Sequence, residues 1–125
     1  MLAVEDYIDA LQWAQHAGGL AGLMARADAN AEALDRWVQR TPWVEHLARD
    51  PATRSNTSVC LVLPGTPEER VKAMVSLLEK EGAAYDIGAY RDAPPGLRIW
   101  CGATVDTADI EALTHWLDWA YAATA

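Results

Sequence analysis

Pro94-Pro95-Gly96-Leu97-Arg98-Ile99-Trp100-Cys101-Gly102 decides how this chain is read. Two prolines and a glycine turn the backbone, and Leu97 to Cys101 then forms a short apolar strand that carries one charge. A guanidinium on an otherwise apolar strand is costly unless it is paired, because an unpartnered buried charge loses its hydration. Arg98 therefore requires a carboxylate, either the protein's own (Asp86, Asp92 or another acid) or a ligand's. The planar, always-charged fork of arginine suits a ligand carboxylate well. Before this strand, Tyr85 to Tyr90 reads as a loop or weak edge strand. After it, a helix from about Asp106 to Ala122 has Ile110, Leu113, Trp116 or Leu117, and Ala120 on its apolar stripe.

Further upstream, Thr57 to Leu63 is β-rich and apolar and reads as a buried strand. Pro64-Gly65 turns the chain, and Thr66-Pro67-Glu68-Glu69 is a helix start, with Thr66 as cap, Pro67 at the first helical position and Glu69 placed to close a capping box. That helix has Val71, Met74, Val75, Leu77 and Leu78 facing inward and ends at Gly82. The first half is helical. Val4, Tyr7, Ile8 and Leu11 form one stripe, Gly18-Gly19 punctuates, and Leu20, Leu23, Met24, Ala27, Ala31, Leu34 and Val38 form a second stripe up to Thr41-Pro42. A short run, Trp43 to Leu47, and a polar loop, Ala48 to Asn56, join the halves. This order predicts an α+β fold: a small mixed or antiparallel sheet of two to four strands with helices packed on one face.

The 125 residues are 51% hydrophobic, enough for a real core, and carry a net charge of −8. That balance argues against nucleic acid or an anionic membrane as partner, since either needs a basic face. No apolar run reaches the roughly 18 residues of a membrane span. Met1-Leu2-Ala3-Val4-Glu5-Asp6 lacks the basic and apolar regions of a secretory signal. Cys60 and Cys101 each sit in an apolar strand and are expected as reduced thiols, which with the missing signal implies a cytoplasmic protein. Six tryptophans (Trp13, Trp37, Trp43, Trp100, Trp116, Trp119) are more than so few strands can cover, so some should face another surface.

With these segments in view, the chain resembles the C-terminal part of a phosphoserine aminotransferase, a pyridoxal-phosphate enzyme of the aspartate-aminotransferase fold class. The resemblance covers essentially the whole chain. It rests on Met1-Leu2-Ala3-Val4-Glu5-Asp6-Tyr7, Thr41-Pro42-Trp43-Val44, Asp50 to Leu61, Gly96 to Val105 and the last helix. It implies a junction helix at the large-domain boundary over residues 1–25 and a small C-terminal domain over 26–125. It also implies a homodimeric full-length enzyme that moves an amino group between glutamate (2-oxoglutarate) and 3-phosphohydroxypyruvate (phosphoserine) in serine biosynthesis. In the family, the arginine of this strand grips the α-carboxylate of the substrate, and the role falls on Arg98. Other members have a His-Arg pair a few residues earlier that helps hold the phosphate. Here the stretch reads Tyr90-Arg91-Asp92, so the pair is not reproduced; Arg91 is left to take part of the role or to be a solvated loop cation.

Such an enzyme needs a lysine for its Schiff base and an acidic partner for the pyridine nitrogen. Lys72 and Lys80 both fall off the apolar stripe of their helix, among Glu68, Glu69, Glu79 and Glu81, and read as solvated surface. The chain alone is thus expected to be inactive and to bind no cofactor covalently. The rival reading is a free-standing α+β module that binds a carboxylate without chemistry. Nothing else competes. His16, His46 and His115 are too scattered for a metal cluster, Arg49 and Arg54 read as loop cations, and Ser55, Thr57 and Ser58 lack an activating histidine.

Overall fold

The computed structural model describes all 125 residues. Helices α1 (Leu2–His16) and α2 (Gly19–Arg40) come first, then β1 (Glu45–His46), β2 (Ser58–Val62), α3 (Glu68–Lys80), β3 (Gly96–Trp100) and α4 (Thr107–Ala123). The strands form one antiparallel sheet in the order β1-β2-β3. The Tyr85–Tyr90 segment adds a single bridge, Gly88 to Leu97, at the edge. The sheet thus has three strands, within the two to four expected.

Period-two alternation sorts the sheet into two faces. Val59, Leu61, Leu97 and Ile99 point into one continuous core with Leu34, Trp37, Met74, Leu78 and Leu117 from the helices. Ser58, Cys60, Val62, Arg98 and Trp100 point the other way, where no helix covers them. Gly96, at the start of β3, lies so close to β2 that a Cβ there would land on the carbonyl oxygen of Leu61. Gly96→Ala must spread β2 and β3, and a loss of about 1–3 kcal/mol is expected in urea unfolding. Wild-type stability would contradict that close approach.

Some local readings change. In α2 the buried positions are Ala27, Asn30, Ala33, Leu34, Trp37 and Val38, while Leu20 and Met24 stand exposed. The inward stripe is thus rotated towards Asn30 and Trp37, because both polar groups find partners inside. Trp37 Nε1 donates to Asp118 at 3.0 Å. Thr66 does not cap α3: Pro67 occupies that place, its carbonyl accepts from Arg70 and Val71, and no side chain caps the helix. Gly82 does end it, at φ 70°, where the backbone is left-handed. Asp106 precedes α4 without capping it, because its carboxylate is bound to Arg26 Nη2 at 2.7 Å. On α4 it is Leu117 that is buried, and Trp116 is exposed.

The tryptophans divide. Trp37 is buried, edge-on to Trp43, which stacks on Tyr121 at 4.0 Å. Trp13, Trp100, Trp116 and Trp119 are exposed. No residue of α1 is buried, and Leu2, Val4, Tyr7, Ile8 and Leu11 are all open to solvent. The core begins at Ala27.

Both cysteines are free thiols. Burial pushes Cys101 up to about 11, so it stays protonated in the folded chain while an unfolded thiol ionises near pH 8.5–9. The folded state then holds the extra proton, so its stability is undiminished well below the unfolded thiol pKa and falls as pH rises through it towards 11. A Cys101→Ala variant should lose that alkaline slope in urea titrations. A slope unchanged by the substitution would assign it elsewhere.

Candidate carboxylate site on the open sheet face

Arg98 is the one charged residue on β2 and β3. Its register partner across the sheet is Cys60, which offers no carboxylate. The strand itself is fixed by Ile87, whose carbonyl accepts from Arg98 N at 2.8 Å. The side chain is about a quarter exposed, at 26%. Its Nη2 donates to Asp86 twice, to Oδ2 at 2.9 Å and to the backbone oxygen at 3.2 Å. Nε and Nη1 make no hydrogen bond within the chain. Of the acids open to Arg98 from the sequence, Asp86 is therefore the internal partner, and Asp92 is not.

Tyr90 lies against the guanidinium, with Cζ 4.6 Å from the ring centroid, a cation–π contact. The Tyr90 hydroxyl lies 3.3 Å from Ser58 Oγ on the same sheet face. Ser58 first, and then Arg98, hold the Tyr90 phenol below its ordinary value. Tyr90 first, and Asp86 after it, hold Arg98 in its charged form more firmly than usual. A cavity of about 440 Å³ opens beside this group, bounded by Tyr85, Asp86, Arg98 and Trp100 over a floor that includes Ile110 and Leu113.

Arg91 is not brought to this cavity. It is exposed in the loop, makes no ion pair, and lines a separate depression with Glu68, Lys72 and Pro95. Lys72 lies on α3, paired with Glu68 at 2.8 Å, and Lys80 is exposed in the last turn of that helix. Neither lysine is on the sheet face of Arg98, so the residues of this chain do not fit as the covalent anchor of pyridoxal phosphate. Arg54 is a structural residue: Nε donates to Ala48 O at 2.8 Å, and Nη1 lies 3.5 Å from Asp35. His46 joins the same Asp35 at 2.7 Å. No His, Cys, Asp and Glu group could hold a metal. Tyr90 and Ser58 escaped the sequence reading, since nothing local ties residues 32 apart.

Three antiparallel strands with helices on one face, and an arginine on the other, make a fold similar to the C-terminal small domain of pyridoxal-phosphate aminotransferases. A solved phosphoserine aminotransferase from Bacillus circulans subsp. alkalophilus shares it with a TM-score of 0.79 over 91% of this chain and 30% of that one, at 22% identity. A second solved phosphoserine aminotransferase gives 0.76 at 15% identity, over 90% of this chain and 30% of that one. No family model matches the chain. In sequence it is 46% identical, over 121 residues, to the phosphoserine aminotransferase of Methanosarcina mazei, covering 97% of this chain and 32% of that protein. The Methanosarcina barkeri protein matches over the same shares at 46% identity, and that of a Nocardioides species at 32% over 87% of this chain and 29% of its own length. The chain therefore matches the C-terminal region of phosphoserine aminotransferases, and it spans about a third of the length of these relatives.

Proposed function

We propose that this chain is the substrate-carboxylate arm of a phosphoserine aminotransferase. The intact protein would pass an amino group between glutamate and 3-phosphohydroxypyruvate as a cytoplasmic homodimer. One observation carries the reading. Arg98 is a guanidinium on an uncovered sheet face, beside the Tyr90 ring, and its donor fork is met only at Nη2, by the solvated Asp86. An α-carboxylate can take two parallel hydrogen bonds from that fork, and the second bond fixes its orientation as well as its position. Pyridoxal phosphate, when bound in the intact protein, supplies the electron sink; the part of this chain is to hold the substrate still beside it.

Arg91 is the candidate for the substrate phosphate, being an unpaired cation on the loop that leads into β3. Residues 1–25 are assigned to the junction with the rest of the protein, in keeping with the bare apolar face of α1. No helix is long and apolar enough to cross a membrane. The test is steady-state kinetics of both half-reactions in the intact protein. Arg98→Ala should weaken glutamate and phosphoserine alike, whereas Arg91→Ala should weaken phosphoserine more. Wild-type kcat/KM for both substrates in Arg98→Ala would overturn the proposal.

A further inference from the structure

The acid that pairs with Arg98 is poorly placed to be a permanent partner. The Asp86 carboxylate is 91% exposed, the most solvated end of any ion pair in the chain. It meets the guanidinium through a single nitrogen, Nη2, and not through the bidentate fork. The residue also sits at φ 54°, a left-handed conformation, and is the one non-glycine with positive φ. Such a position is held by its surroundings, and here the contact that goes with it is the backbone oxygen of Asp86 on Arg98. The backbone can therefore keep its bond to Arg98 while the side chain swings into solvent. With the Tyr90 ring 4.6 Å from Cζ, an incoming carboxylate that uses the donor fork must take Nη2, where Asp86 already stands.

From this arrangement we infer that Asp86 is a displaceable internal carboxylate, which occupies Nη2 of Arg98 until a substrate carboxylate takes its place. The inference rests on Arg98 being the substrate's grip. Its consequence is competition. Each binding event must expel the Asp86 oxygen from Nη2, and the incoming anion meets a second negative charge beside its target. An exposed pair of this kind is weak, so the competition is limited to about two- to five-fold. It also supplies a function for the pair: Arg98 stays extended and oriented in the empty site, so it need not be ordered on binding.

The test uses Asp86→Asn, which keeps shape and backbone and removes the charge. In the intact protein, KM for glutamate and for phosphoserine should both fall about two- to five-fold with kcat unchanged. In an Arg98→Lys background, the same substitution should change KM by less than half as much, because the fork is gone. Binding is read separately from turnover by the Nε–H NMR signal of Arg98 in the intact protein, titrated with glutarate. Half-saturation should come at a lower concentration in Asp86→Asn. A KM that rises, or a glutarate titration that does not tighten, would overturn the inference and leave Asp86 as a positioning residue. If Arg98→Ala keeps wild-type kinetics, the reading beneath it fails instead.

Discussion

Arg98→Ala in the intact protein is expected to lower kcat/KM by about 30- to 1000-fold for both half-reactions. Removing a charge-assisted bidentate pair costs on the order of 2–4 kcal/mol, and each 1.36 kcal/mol is a factor of ten. The loss should be shared by glutamate and phosphoserine because both present an α-carboxylate to the same fork. It should leave the cofactor spectrum intact if Arg98 holds the substrate and not the cofactor. Arg98→Lys should recover only part, because an ammonium is a point charge without the planar pair of donors. Fold stability should barely change: the internal partner of Arg98 is a solvated acid, and exposed pairs contribute little. Activity and stability therefore separate at this residue. A variant that unfolded on losing Arg98 would mark it as a core ion pair.

Asn30→Ala is expected to be the opposite case, costing about 3 kcal/mol of stability. Asn30 is fully buried on α2, and its Nδ2 donates to the carbonyl oxygens of Cys101, Gly102 and Val105 at 3.1, 3.2 and 2.8 Å. Its Oδ1 accepts from the Thr107 hydroxyl at 2.7 Å. One side chain thus ties α2 to the turn between β3 and α4. Alanine would leave the buried Cys101 carbonyl without a partner and remove the part-buried ties to Val105 and Thr107, and an orphaned buried acceptor costs more than its bond was worth. Asn30→Asp should be worse, because it aims a carboxylate at three carbonyl oxygens. The folded state raises the pKa of such a group, so its stability should decline further as pH rises above the unfolded value near 4. Urea midpoints across pH 4–8 measure both effects. A loss below about 1 kcal/mol for Asn30→Ala would show that water replaces the side chain.

Asn30 also shows where sequence reading stops. The strands were legible because β2 and β3 are runs of apolar residues bounded by proline and glycine, and α3 because Pro67 and Gly82 punctuate it. The face of α2 was not. A stripe drawn through Leu20 and Met24 follows hydrophobicity, but the surface that decides burial is the sheet end and α4, and these accept Asn30 and Trp37. Nothing within one helix of separation announces those partners. The site divides in the same way. Arg98 stands out as a charge on an apolar strand, and Asp86 is close enough in sequence to be weighed as its partner. Tyr90 and Ser58 meet only because the loop after α3 folds back over the open face.

The ties between α2 and the last quarter of the chain have a temporal cost. Arg26 to Asp106, Asn30 to Thr107 and Trp37 to Asp118 join residues separated by 80, 77 and 81 positions. A ribosome adding about 5–20 residues per second needs roughly 4–16 s to bring the later partner into being after the earlier one. Through that interval α2 exists with Leu34 and Trp37 uncovered, and the longer strand pair, β2 with β3, cannot form until β3 is made. The nascent segment is therefore a natural client for a chaperone that shields apolar helix faces, and slower translation lengthens its exposure.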